Sequence, residues 1–104
     1  MIAFSIKIVT SSEKRQEILR TLSSFLGSTR AAAGCTQANV FTDLYNSQTL
    51  LLLEEWESRE LFERNLDAAK LNALVAAIDL SSEAPVVRID SIEREEGIDT
   101  LAIH

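Results

Sequence analysis

One cysteine, one histidine, one proline, one tryptophan and one tyrosine occur in this chain of 104 residues, and each scarcity closes off a class of protein. A lone Cys35 cannot form an internal disulfide and suits a reducing cytoplasm. With His104 as the sole histidine, the serines have no partner for triad chemistry. One histidine, one cysteine and dispersed carboxylates also give no metal-ligand spacing, so no metal is expected. Glycines stand only at positions 27, 34 and 97, which makes no phosphate-cradling loop. Basic residues are few and scattered, 10 against 16 acidic ones for a net charge of −6. That balance argues against nucleic acid or an anionic membrane surface as partner. Residues 2 to 9 hold Lys7 and lack a signal-peptide hydrophobic block with a cleavage site.

What is present is a chain long enough for one domain with one modest core, its hydrophobic content of 46% ordinary for a globular protein. The stretch Leu50-Leu51-Leu52-Leu53-Glu54-Glu55-Trp56-Glu57 organises it. Four leucines suit a strand and are too short for a membrane span. Alternate side chains of a strand point to opposite faces, so Leu51 and Leu53 line one face and Leu50 and Leu52 the other. Both faces must then be covered, and the helices present can cover only one. A second copy of the chain is the most economical cover for the other, so a homodimer is expected.

The remaining elements follow from period and punctuation. Residues 2 to 9 alternate, with Ile2, Phe4, Ile6 and Ile8 on the core face. Thr10 and Glu13 have capping-box spacing, and a helix carrying Ile18, Leu19, Leu22, Phe25 and Leu26 is expected to run to about Ala32, before Gly34. Residues 37 to 45 alternate again, placing Asn39, Phe41, Asp43 and Tyr45 on one face. A polar turn at Asn46-Ser47-Gln48 then joins this strand to the leucine strand as an antiparallel hairpin. Ser58 can cap a short helix, and Asp67 a longer one with Leu71, Leu74, Val75 and Ile78 on one stripe. Pro85 opens a last strand from Val86 to Ile92, as proline does at strand starts and edges. The order β-α-β-β-α-β is the ferredoxin-like split βαβ plan, an α+β class. It fills residues 1–104 as a single domain with its core in 2–92. The tail 93–104, apolar at Ile98, Leu101 and Ile103, is expected to add a C-terminal strand, on its own subunit or swapped onto the partner.

With that plan drawn, Leu51-Leu52-Leu53-Glu54-Glu55-Trp56-Glu57-Ser58, preceded by Ala33-Gly34-Cys35, resembles the antibiotic biosynthesis monooxygenase domain family, whose members carry a leucine-rich strand ending in Glu-x-Trp and a Gly-Cys turn before the second strand. The resemblance extends from about Phe4 to Ile92. It implies a dimeric α+β barrel, two ferredoxin-like sheets packed face to face. For some members it implies cofactor-free oxygenation of electron-rich aromatic substrates or quinols, and for others haem degradation. The haem branch needs an axial histidine on the second helix, and Asp67 to Leu80 holds none; Asn65 stands where that branch has a tryptophan. A cofactor-independent monooxygenase of small aromatic or quinol-type substrates is thus the expected function, with a non-catalytic dimer of the same fold that binds a small aromatic molecule as the alternative.

No catalytic residue can be named from the sequence. A ligand is expected between the sheet and the helices, stacked on Trp56, beside Phe62 and over Phe4, with Asn39, Tyr45 or Asn65 as polar anchors. Trp56 reads first as core packing, and Asn39 and Tyr45 as an ordinary exposed edge strand. Cys35 has no flanking base and reads as a small buried apolar group. Glu54 and Glu55 face opposite sides of their strand, and one of them is expected to pair with Arg64 or Arg88.

Overall fold

The computed structural model describes residues 1–101. Strand β1 (Ile2–Val9) is followed by helices α1 (Arg15–Ser23) and α2 (Leu26–Ala31), then by strands β2 (Cys35–Thr42) and β3 (Thr49–Trp56). Helices α3 (Arg59–Asn65) and α4 (Ala68–Asp79) lead into strand β4 (Val86–Ser91). The strands form one antiparallel sheet in the order β2-β3-β1-β4. This is the ferredoxin-like order, with the two strands richest in aliphatic residues at the centre and Pro85 leading into an edge strand. No helix among the described residues is long and apolar enough to cross a membrane.

Both expected helical segments are divided in two, and the first division was not anticipated. Ser23 Oγ donates to the carbonyls of Leu19 and Arg20, and Ser24 Oγ to that of Thr21. Such back-bonding competes with the helical ladder, and the chain breaks at Ser24–Phe25 rather than continuing to Ala32. The cap differs as well. Thr10 still belongs to the strand end, its N–H donating to the Gln48 carbonyl (2.8 Å), and it is Ser11 Oγ that accepts from the Lys14 N–H. Ser58 and Asp67 cap α3 and α4 as their positions indicate, accepting from the Leu61 and Lys70 N–H groups.

Strand β2 stops at Thr42, three residues short of the expected end, because Asp43 Oδ2 accepts from the N–H groups of both Tyr45 and Asn46 at 2.9 Å and curls the chain. At the other end of the chain, Ile98–Leu101 form a 3₁₀ turn rather than the expected extended strand, with Ile98 and Leu101 exposed. Ile103 and His104 lie outside the described residues.

All four helices lie on one face of the sheet. Ile2, Phe4, Ile6 and Ile8 of β1 and Leu50, Leu52 and Trp56 of β3 point toward them and pack with Ile18, Leu22, Phe62, Leu74 and Ala77. The stripe on α4 differs from expectation: Leu74 is buried, whereas Leu71 and Val75 are each 46% exposed, and Lys70 and Ala77 complete the inward row. On the opposite face the register lays Phe41, Leu51, Lys7 and Val86 side by side across the sheet, with Asn39, Leu53, Ser5 and Arg88 as the next row. Nothing among the described residues covers this second face. The leucine strand is apolar on both sides, as its sequence demands, and is half covered.

Candidate functional site

Two charged residues interrupt the buried side of the molecule. Glu54 follows Leu52 and precedes Trp56 on the inward face of β3, and Lys70 opens the inward row of α4. Their side chains are 2% and 4% exposed and meet at 2.9 Å, Lys70 Nζ on Glu54 Oε2. An ion pair buried this deeply is tolerable only when the remaining donors and acceptors are also satisfied, and here they are. Lys70 Nζ also donates to Thr29 Oγ1 at 3.1 Å and to Asn65 Oδ1, which uses all three ammonium hydrogens. The other Glu54 oxygen accepts from Trp56 Nε1 at 3.0 Å. The ammonium also lies 5.9 Å from the indole centroid, within cation–π range. One group from β3, one from α2 and one from the end of α3 thus converge on a single cation carried by α4.

Glu54 therefore pairs with Lys70, not with Arg64 or Arg88, which bind Glu60 and Asp90 at the surface. Glu55, on the other face, accepts from Gln37 Nε2.

The ligand residues expected from sequence fall into three places. Trp56, Phe62 and Phe4 are together in the core, with the two phenyl rings 5.1 Å apart and tilted. Trp56 is 0% exposed, so no water-sized space touches its indole; the cavity expected beside it is filled by the side chains of the core. Asn65 is half-buried and joins this group through Lys70. Asn39 lies on the uncovered sheet face, accepting from Arg30 Nη2 and donating to Gln37 Oε1. Tyr45 is 93% exposed in the β2–β3 turn, away from the rest.

One cavity at the edge of the polar cluster shares Asn65 with it. A cavity of about 170 Å³ is lined by Ala32, Ala33, Leu61, Arg64 and Asn65. Asn65 belongs to both, with its carbonyl oxygen on Lys70 and its residue in the cavity wall. The wall is held close by Gly34, whose φ of +85° turns the chain tightly against α3; a Cβ there would lie 2.3 Å from Leu61 Cδ1. Cys35 is half-buried on the inward side opposite Trp56. Burial pushes its thiol pKa up, a backbone hydrogen bond at Gln37 pulls it down, and the Glu54 carboxylate adds a further push up.

Residues 1–77 match the sequence model of the antibiotic biosynthesis monooxygenase family. The chain belongs to that family. Among solved structures, the fold is similar to that of Rv0793 from Mycobacterium tuberculosis, with a TM-score of 0.78 at 18% identity over 92% of this chain and 98% of that one. It is similar also to a protein from Deinococcus radiodurans named as a candidate antibiotic biosynthesis monooxygenase, with a TM-score of 0.80 at 19% identity over 94% and 98% of the two chains. A conserved protein from Methanosarcina mazei gives 0.75 at 21% identity over 86% and 89%. No curated protein matches the sequence significantly.

In this antibiotic biosynthesis monooxygenase family member the sequence reading missed Lys70 and Thr29 and gave Glu54 the wrong partner. The signal was present for two of them. Lys70, Leu74 and Ala77 have the i, i+4, i+7 spacing of one helix face, and Glu54 alternates with Leu52 and Trp56. A lysine and a glutamate, each standing where an apolar residue belongs, are candidates to meet. Thr29 gave no such signal, since a threonine suits either environment.

Proposed function

We propose that this protein is a cofactor-independent monooxygenase of small aromatic or quinol-type substrates, working in the cytoplasm as a homodimer. The observation that carries the reading is the Lys70 ammonium, buried between sheet and helices and bound by Asn65, a residue that also lines a cavity at the surface. Oxygenation without a metal or flavin requires the substrate itself to supply electrons, which a phenolate does far better than a phenol. A fixed cation stabilises that anion, and more strongly away from water than in it. The balance closes without another reductant: a quinol plus O₂ gives a hydroxyquinone plus water, one oxygen atom entering the ring and the other leaving with the two hydrogens lost. The family match supports the reaction class, and the geometry supports the substrate charge.

The dimer reading rests on the uncovered sheet face. Leu51, Leu53 and Phe41 stand there beside Lys7, Asn39 and Ser5, a mixture suited to a mostly apolar contact with a few polar pairs.

Oxygen uptake with a panel of hydroquinones tests the function. Protein-dependent uptake of one O₂ per quinol is expected in wild type, with a loss of at least roughly tenfold in kcat/KM in Lys70→Met, the size of a single charge contact. Absence of protein-dependent uptake across the panel overturns the reading.

A further inference from the structure

We propose that the cavity bounded by Ala32, Ala33, Leu61, Arg64 and Asn65 is a binding site for a small aromatic anion, and that Asn65 is its gate, yielding its place on the Lys70 ammonium to the anion. The inference deepens the function proposed above, naming how a substrate reaches the buried cation and which charge it carries.

Three observations converge on it. The cavity holds about 170 Å³, enough for one substituted ring and little more. Its walls divide by chemistry: Ala32, Ala33 and Leu61 are apolar, Arg64 is cationic, and Asn65 stands between the cavity and a second cation. Among the described residues it has no acidic lining residue, which is notable in a chain with net charge −6. The same residue types would receive a flat apolar body with a negative group at one end.

The third observation concerns which contact can be exchanged. Of the three groups on Lys70 Nζ, Glu54 and Thr29 are buried in the core, at 1% exposed each, and are fixed by their elements. Asn65 is the last residue of α3 and is half-buried, and it offers a neutral amide oxygen. A carboxylate or phenolate oxygen is a stronger acceptor for an ammonium than an amide oxygen is. Rotation of the Asn65 side chain, which leaves the α3 backbone in place, would uncover Nζ to the cavity. Glu54 stays paired, so the buried lysine never stands without a counter-ion while the site is empty. Arg64 is exposed and bound to Glu60 at 2.8 Å, and its guanidinium remains available at the mouth to draw an anion in.

Benzoate is the probe, because it carries the required shape and charge and cannot undergo quinol oxygenation; its neutral counterpart is benzyl alcohol. Calorimetric titration of the intact protein, followed in parallel by fluorescence of the sole tryptophan, reads both affinity and arrival at the Lys70–Trp56 cluster. Saturable benzoate binding that perturbs the fluorescence is expected, with benzyl alcohol weaker by at least roughly tenfold. Asn65→Asp places a tethered carboxylate on Lys70 and should abolish benzoate binding while retaining the fold. Arg64→Ala, at an exposed position, should weaken binding severalfold. No saturable binding to the wild type, equal affinity for the alcohol, or an undiminished affinity in a folded Asn65→Asp protein would each overturn the proposal. Benzoate binding without quinol-dependent oxygen uptake would keep this site and remove the oxygenase reading; uptake without benzoate binding would do the reverse.

Discussion

At the scale of single residues, Lys70 and Glu54 matter more than their number suggests. Removing one partner of a buried ion pair leaves the other charged and unpaired, at a cost of about 3–5 kcal/mol, whereas removing both charges together is much milder. Lys70→Met should therefore lose stability of that order in urea unfolding. Combining it with Glu54→Gln, which keeps an acceptor for Trp56 Nε1, should recover about 2 kcal/mol or more. Additive losses in the double variant would show that the pair does not act as a unit.

Cys35 offers a second test at this scale. Its thiol pKa is raised above the ordinary 9.0, first by burial, so the reactive thiolate is scarce in neutral solution. Alkylation by iodoacetamide at pH 8 should be slower in the folded protein than in urea, and should accelerate only as pH rises beyond the ordinary thiol range. The sign for stability follows: a folded-state pKa above the unfolded one contributes stabilisation that is complete below the unfolded value and lost as pH climbs through the folded value. Equal alkylation rates in folded and unfolded protein would contradict the protected thiol.

At the scale of elements, most of the architecture was legible in the sequence because it is written in two periods. The alternation in residues 2 to 9 and the leucine strand placed β1 and β3 at the centre, and Ser58 and Asp67 marked helix starts by a local mechanism, a side-chain oxygen accepting a backbone N–H. What escaped was decided by side chains competing with those periods. Ser23 and Ser24 bond back to the helix and break it, and Asp43 curls a strand that would otherwise have run to Tyr45. The ligand site was read as aromatic, from Trp56 outward, since an aromatic residue is conspicuous in a sequence. The polar centre beneath it depends on a strand and a helix meeting across the core, a distance in space that spacing along the chain does not give. Asn65, expected as a polar anchor, does reach this centre.

The turn into β2 carries the test at this scale. Gly34 sits at φ +85°, and an added Cβ would meet Leu61 Cδ1 at 2.3 Å and Leu61 Cβ at 3.0 Å. Gly34→Ala combines a left-handed backbone penalty of roughly 1–2 kcal/mol with the displacement of Leu61 from the cavity wall. A fall of at least about 2 kcal/mol in urea-derived stability is expected; an unchanged midpoint would mean the turn relaxes freely.

At the scale of the whole molecule, one sheet face is packed under four helices and the other is bare among the described residues. Leu53 lies near the middle of the bare face, between Asn39 of β2 and Ser5 of β1. In the proposed dimer, Leu53→Asp would bury a charge in each half of a twofold contact and should convert the dimer to a monomer in multi-angle light scattering at micromolar concentration. A wild type that already scatters as a monomer would remove the dimer reading.

Strand β4 bears on how such a molecule associates. Among the described residues it pairs with β1 alone, and all six of its residues are exposed, so its outer backbone groups face away from the sheet. A bare edge with Val86, Val87 and Ile89 is a template on which other chains can add strands without limit, the route to fibrils. Arg88 and Asp90 interrupt that run, and Pro85 stands at its head with no N–H to offer. In the proposed dimer the apolar face of the sheet is used up by one partner, while the charged border of β4 discourages the open-ended growth that would otherwise compete with a closed pair.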